Sequence, residues 1–395
     1  MLGKELSGAA RSSLSEARQK LDWRAFEYLL KESRLERDEL SRNETWKGHV
    51  VYSIDGTKLT LPNSKEILAK FPQRKATRGP LGSVSHYPFA VMVSSCNVLT
   101  AQPLSARIMN MHGSEREGAI SLIQEFKKGD ICLLDRGLDG LRVWKAIEDQ
   151  GQFYVNRLRV VYGSGHKHLD YAGDFVRSGK KEAVIKRRLR DPQTQQWIQY
   201  KMRLIRGRKL KDGAVLVVGT NLFDKNKYPA HSLLDLYSRR WRIETMYARV
   251  KTLLQVQGFH ARTVNGVYQE VFANLLILSM TAAISLRAAK LKGVDPNQIT
   301  PNFKNATEVL KRNLFITTGS LPLTPNELKQ RALWIINQVV RVLCKKQPGR
   351  SYPRYSRQPL NRWPYAKADK IKAHDQGRRA NEAAWSRKMH KTSAS

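Results

Sequence analysis

Four side chains in the second half of the chain stand at spacings that a helix would stack: Tyr237, Arg240, Glu244 and Lys251. They lie in the stretch SLLDLYSRRWRIETMYARVKTLLQVQG, residues 232–258. Ser232 with Asp235 three residues later is a helix start signal, Gly258 is a stop, and no proline or glycine intervenes. The stretch therefore predicts one helix over 232–258. At about 100° per residue the four side chains occupy a stripe about 60° wide. An aromatic hydroxyl and two cations flanking a carboxylate suit a metal-dependent site for a phosphodiester, because the carboxylate holds metal and the cations hold the polyanion. The plainer alternative is a solvated face on which Arg240 and Glu244 form an ordinary i,i+4 pair worth about 0.2–0.5 kcal/mol.

The spacing Y-x2-R-x3-E-x6-K resembles the signature of the insertion-sequence-4 family of DDE transposases, and all four positions match. The flanking Arg239, Trp241, Ile243, Glu244 and Thr245 are similar to that family's R-W-x-I-E-x run. The resemblance implies two earlier aspartates at strand ends and a ribonuclease-H-like fold that gathers them with the helix-borne glutamate.

Two strands offer those aspartates. Residues 49–61 (HVVYSIDGTKLTL) alternate as a strand that delivers Asp55 at its end, although an Asp-Gly pair after a strand is also an ordinary hairpin turn. Residues 130–137 (DICLLDRG) read as an apolar strand buried on both faces and ending in Asp135. The tip of such a strand is where α/β sheets place functional groups. The D-R-G run is similar to the family's second-aspartate motif. Asp130 and Asp139 compete with Asp135. The first precedes the strand, and the second is expected to cap the following helix.

By resemblance, Asp55, Asp135 and Glu244 would hold two Mg2+ ions, with Mn2+ as a substitute, for metal-assisted phosphoryl transfer. Tyr237, Arg240 and Lys251 would contact DNA near the cut. The implied activity is a DNA transposase that cuts element ends and joins them to target DNA, through a DNA hairpin in related enzymes. The partners would be double-stranded DNA and a second copy of the chain, since two ends must be paired. A nuclease on the same fold and a catalytically silent DNA-binding relative are the alternatives.

The rest of the chain agrees with a nucleic-acid partner. Its 395 residues carry a net charge of +36 and a pI near 10.3, with 41% hydrophobic residues. That surplus favours a polyanion, although charge alone does not separate a DNA enzyme from any other basic protein. Cys96, Cys132 and Cys344 lie too far apart for a zinc spacing, and fit a reducing compartment. The start lacks the apolar run of a signal peptide. The apolar stretch 271–286 is short and carries Asn274, two serines and a threonine, so it reads as a core helix. A bacterial cytoplasmic protein with no membrane partner, on the nucleoid when bound to DNA, is expected.

The expected fold class is α/β: a ribonuclease-H-like core with a mixed sheet and helices, interrupted by a β-rich insertion. An N-terminal helical segment spans 1–47. The core would occupy 48–158 and 213–290, with a basic β-rich insertion at 159–212. C-terminal helices at 291–346 and a basic, aromatic tail at 347–395 complete the chain. Within the insertion, Trp197 could stack on a flipped base, as an aromatic residue does in related enzymes, but a packed hairpin tryptophan is expected. His166 and His168 have no further metal-ligand pattern around them. The basic loop 72–82 either tracks a phosphate backbone or is simply solvated.

Overall fold

The computed structural model describes residues 11–34, 44–73, 87–160, 171–191, 194–210, 213–250, 259–293, 299–317 and 323–345. The chain divides into a unit of Met1–Pro296 with Thr300–Cys344 and a second of Asn297–Ile299 with Lys345–Ser395. Everything below belongs to the first. The loop at 74–82, His166, His168 and the tail lie outside the described residues.

The fold is α/β, built on one mixed sheet of eight strands. Its strands are β1 (Val51–Thr60), β2 (Phe89–Asn97), β3 (Pro103–Asn110), β4 (Ile131–Leu134), β5 (Phe153–Arg157), β6 (Glu182–Arg190), β7 (Trp197–Lys209) and β8 (Val215–Thr220). Their order is β3-β2-β1-β4-β5-β8-β7-β6. The first three form an antiparallel meander, β1, β4 and β5 run parallel, and β8, β7 and β6 continue antiparallel. β4 is apolar throughout and fully buried, as a central strand covered on both faces must be.

Ahead of β1, α1 (Arg11–Lys20) and α2 (Arg24–Glu32) form the N-terminal helices, and α3 (Lys65–Lys70) follows it. One face of the sheet is covered by α4 (Glu115–Ile123), α5 (Leu141–Asp149) and α6 (Tyr171–Arg177). Tyr52, Ile54, Leu122, Trp144 and Tyr154 share that core. The other face takes α7 (Ala230–Ser238) over β4, β5 and β8. Beside it, α8 (Trp241–Ala248) and α9 (Val264–Leu291) cover β1–β3.

By length and composition α9 could cross a bilayer. Here Val267, Val271, Leu275 and Leu278 are buried in a core shared with Ile243 and Tyr247 of α8. Trp23, which precedes α2, stacks against Tyr268 and Phe272 at ring distances of 4.8 and 5.0 Å, so the N-terminal helices sit on α9. At the other end, α10 (Phe303–Thr317) and α11 (Pro325–Val340) pack Ala306, Ile336 and Val339 against Ala288.

The basic β-rich segment is an outgrowth of the sheet rather than a separate module. Its strand β7 is 13 residues long. Arg203–Arg206 pair with β8, while the Trp197 end extends past it with only β6 as a neighbour.

Candidate active site

The parallel β1–β4 ladder has its rungs at Val51–Ile131, Tyr52–Cys132 and Ser53–Leu133. Asp55 and Asp135 each lie two residues beyond the last rung, on the same face. The register therefore sets the two carboxylates side by side, Asp135 just past the carboxyl end of β4 and Asp55 midway along the longer β1, which does not end at Asp55 as expected but runs on to Thr60 against β2.

Their local settings differ. Asp55 is still within β1, opposite Ser94 of β2, and its Oδ1 accepts from the Gly56 amide at 2.8 Å. Asp135 has left its strand and caps a short 3-10 turn, Arg136–Leu138. Its Oδ1 accepts from the Gly137 amide at 2.7 Å and the Leu138 amide at 3.3 Å. A Cβ on Gly137 would stand 3.1 Å from that oxygen, so glycine lets the amide come close.

The third carboxylate arrives on α8. The predicted single helix is in fact two, Ala230–Ser238 and Trp241–Ala248. It begins two residues before Ser232, behind Pro229, and Ser232 is not its cap. The break has a local cause. The Ser238 hydroxyl donates to the Asp235 carbonyl at 2.6 Å, the group that the Arg239 amide would otherwise use. The Arg239 amide turns to Leu236, and the amides of Arg240, Arg242 and Ile243 likewise bond three residues back. In this tighter winding residues three apart eclipse, so Arg240 sits almost directly over Tyr237. Lys251 and Gly258 lie outside the described residues.

Arg240 joins the carboxylates. Its guanidinium meets Glu244 at 2.8 Å through Nη2 and Asp55 at 3.7 Å through Nη1, with its side chain largely buried. The pair with Glu244 is thus an i,i+4 contact, but one that reaches across to a strand and is not on a solvated face. Arg240 Nε and the Tyr237 hydroxyl are both buried without a hydrogen-bond partner among the described residues. Burial pushes the Tyr237 hydroxyl up to about 12, although Arg240 and Arg157 nearby pull the other way.

Asp55 carries the electrostatic signature of the cluster. Burial pushes its carboxyl up to about 6; the Gly56 amide opposes this, the charges of Asp135 and Glu244 add to it, and Arg240 offsets part. One arginine thus under-compensates three carboxylates. Hard oxygen donors with surplus negative charge fit a divalent cation such as magnesium. In the present arrangement, though, no three acidic, histidine or cysteine side chains among the described residues converge on one point. Arg240 holds Glu244 where a shared ion would need it. The donor set fits such an ion by its chemistry, and in this arrangement Arg240 occupies the Glu244 carboxylate.

The competing aspartates do other work. Asp130 accepts from the Lys127 amide at 2.9 Å, in the turn before β4. Asp139 does not cap α5, whose N-cap is Gly140; it accepts instead from the Arg159 amide at 3.0 Å. Its other oxygen is buried without a partner, and burial pushes its carboxyl up to about 6. Trp197 is not packed but 58% exposed, with the Arg188 guanidinium 5.6 Å from its ring centre. It lies on the part of β7 that has no core beneath it.

Three residues around the site were not singled out from the sequence. Tyr247 of α8 donates to the Asp55 carbonyl. Asn156 of β5 donates to the Asp135 carbonyl at 2.8 Å. Arg157 brings a positive charge near the Tyr237 hydroxyl. Asn156 had a usable signal, since a polar amide inside the apolar strand FYVNR must find buried partners. Tyr247 had none, because an aromatic residue on a helix reads as core.

A family model described as the transposase DDE domain matches residues 46–280. The transposase InsG for insertion sequence element IS4, from Escherichia coli strain K12, is 24% identical over 368 residues, covering 91% of this chain and 79% of that protein. A piggyBac transposase synaptic complex with hairpin DNA, determined by cryo-EM, aligns at a TM-score of 0.39 and 12% identity over 82% of this chain. The chain spans 64% of that structure's length.

Proposed function

Because the chain belongs to the transposase DDE domain family, and is therefore a DNA-cleaving transposase, we propose that Asp55, Asp135 and Glu244 are its catalytic carboxylates. The observation that carries this reading is the Arg240 guanidinium, shared between the β1 aspartate and the helix glutamate, with Asp135 on the adjacent strand next to Asp55. Three carboxylates brought together from three separate elements are costly to the fold unless the charge is used.

The three would hold divalent metal, magnesium or manganese in its place, and such ions activate a water or 3′-hydroxyl nucleophile and stabilise the leaving oxygen. The chain's own residues then divide the remaining work. Arg240, with its unpartnered Nε, transfers from the carboxylates to a DNA phosphate, which frees Glu244. The Tyr237 hydroxyl, with too high a pKa to ionise, donates to the same phosphate region. Lys251 handles the cut end. In this reading DNA binding and metal loading are coupled, because the phosphate draws away the arginine that occupies the carboxylates.

The substrates in this reading are the terminal repeats of an insertion sequence and then target DNA, with two copies of the chain pairing two ends. A hairpin on the freed end is a possible intermediate of the same site. The setting is the bacterial cytoplasm. The segments 159–212 and 347–395 would extend the contact to DNA by charge.

The test is cleavage and strand transfer on a labelled element-end duplex with magnesium, for wild type and Glu244→Gln. Joined products from wild type alone support the assignment. Cleavage without joining points to a nuclease, and equal activity of the variant removes Glu244 from the site. Binding without reaction by either protein marks a silent copy.

A further inference from the structure

Beyond the last β1–β4 rung the ladder no longer holds the backbone, yet the aspartates there must keep a fixed spacing. Buried main-chain carbonyls need donors, and side chains supply them. The Ser53 hydroxyl donates to the Leu133 carbonyl at 3.1 Å. The Asn156 amide donates to the carbonyl of Asp135 at 2.8 Å and of Leu134 at 3.3 Å, and its own oxygen accepts from the Trp144 indole at 2.8 Å. The Tyr247 hydroxyl donates to the Asp55 carbonyl and accepts from the Ser94 hydroxyl at 2.9 Å.

Tyr247 has the most to do. It stands one turn after Glu244 on α8, and its ring is buried between α8, β2 and α9. Ser94 is the residue directly opposite Asp55 in the β1–β2 ladder. One hydroxyl therefore ties the helix carrying Glu244 to both members of the strand pair carrying Asp55. Burial pushes that hydroxyl far above the usual tyrosine range, so it remains a neutral donor at any working pH. It is buried and spends its bonds inside the protein, and so its role is to position.

We infer that Tyr247, through its hydrogen bond to the Asp55 carbonyl, fixes the distance between Glu244 and Asp55, and that Asn156 does the same for Asp135. This rests on the carboxylate assignment above. It adds that the spacing between helix and strand is set by a main-chain contact rather than by the carboxylates themselves.

Tyr247→Phe keeps the ring and removes only the hydroxyl. Such outer supports of a metal site change affinity or rate by roughly 10- to 100-fold. With the full-length protein, the expected result is a cleavage rate about tenfold lower and a half-saturating magnesium concentration severalfold higher. DNA affinity and melting temperature should stay close to wild type. Mn2+ binding, read from the free-ion electron paramagnetic resonance signal, should weaken in parallel, which a packing defect alone would not produce. Ser94→Ala leaves the tyrosine's donation intact and should shift both readouts less than Tyr247→Phe does. Wild-type cleavage and wild-type Mn2+ affinity in Tyr247→Phe would overturn the inference while leaving the carboxylates in place. Loss of DNA affinity and melting temperature to the same degree as the rate would also overturn it, in favour of packing. An inactive wild type, or a wild type whose Mn2+ binding survives Glu244→Gln unchanged, would instead overturn the carboxylate assignment and this inference with it.

Discussion

The carboxylate end of β1 and β4 and the outer hairpin of β6 and β7 lie on the same face of one sheet, yet they treat charge in opposite ways. One cross-strand row links Ser53, Leu133, Val155, Thr220 and Arg203. Two residues on from the first three along their parallel strands are Asp55, Asp135 and Arg157. In the other direction along β7 the same face shows Lys201, Gln199 and Trp197, paired with Lys186, Arg188 and Arg190 of β6. The first group is drawn toward the protein interior, where burial and the neighbouring carboxylates raise the Asp55 carboxyl. The second stands in water, where each cation is screened and nearly independent. Chemistry needs the first kind of site and tracking a backbone needs only the second.

The contrast breaks most sharply if a carboxylate of the cluster proves dispensable. Glu244→Gln keeps the shape and should lower single-turnover cleavage by about 10³-fold or more, roughly 4 kcal/mol of barrier. Its affinity for a duplex should stay within about twofold in a filter-binding or anisotropy assay. A large loss of affinity would mean that Glu244 shapes the DNA surface rather than the reaction.

Asp55 sharpens the comparison through stability. Burial holds its carboxyl at about 6 in the fold, above the ordinary aspartate value of 3.8. The fold therefore binds that proton more tightly than the unfolded chain does. Stability from this group is highest below pH 4, falls as pH rises from there to about 6, and stays low above it. Asp55→Asn removes the penalty. In metal-free buffer at pH 8 the variant should unfold about 1–3 kcal/mol less readily than wild type in urea, with the gain vanishing near pH 4. A destabilised variant at pH 8 would show that the contact with Arg240 outweighs burial. The exposed cations of β6 should give no comparable gain when neutralised.

The same proton competes with metal. Below about pH 6 the half-saturating magnesium concentration for cleavage should rise by about tenfold per pH unit, and above it should level off. A flat dependence through this range would remove Asp55 from the metal site.

How much of this was legible beforehand depends on what fixed each feature. β4 could be read because a strand buried on both faces has to be apolar, and Asp135 followed from its end. The alternation of Val51, Ser53 and Asp55 against Tyr52 and Ile54 marked the face of Asp55 but not its place along the strand, since Gly56 opens no turn and β1 runs on to Thr60. The helix break could not be read, because it comes from the Ser238 hydroxyl taking a carbonyl, and serine is tolerated in many helices. Trp197 was misread because alternation along β7 marks two faces without saying which of them is covered. Asp139 was misread as a cap because its real partner, the Arg159 amide, arrives from beyond the next strand. Periodicity reports an element's type and its faces; the break turned on one local side-chain bond, and Trp197 and Asp139 on what lies elsewhere in the fold.

The smallest effect belongs to the outer hairpin, and it is the one that tests the comparison from its other side. Ile205 of β7 is level with Arg157, through their common partner Val218, and Arg157 immediately follows the residue paired with Leu134. Trp197 is eight residues back along β7, roughly 26 Å toward the other end of the sheet at strand rise. That is too far to touch the phosphodiester at the carboxylates, and equals roughly seven or eight base pairs of duplex. Arg188, exposed beside Trp197, should therefore contribute to binding and not to the reaction. Arg188→Ala should lower the slope of log affinity against log salt by about one, with a cleavage rate at saturating DNA unchanged. Trp197→Ala should weaken binding with the salt slope and the saturated rate both unchanged, since the ring carries no charge. If either substitution lowers the saturated rate as well, the hairpin of one copy must reach the carboxylates of another, and the two regions would then meet only in a paired complex.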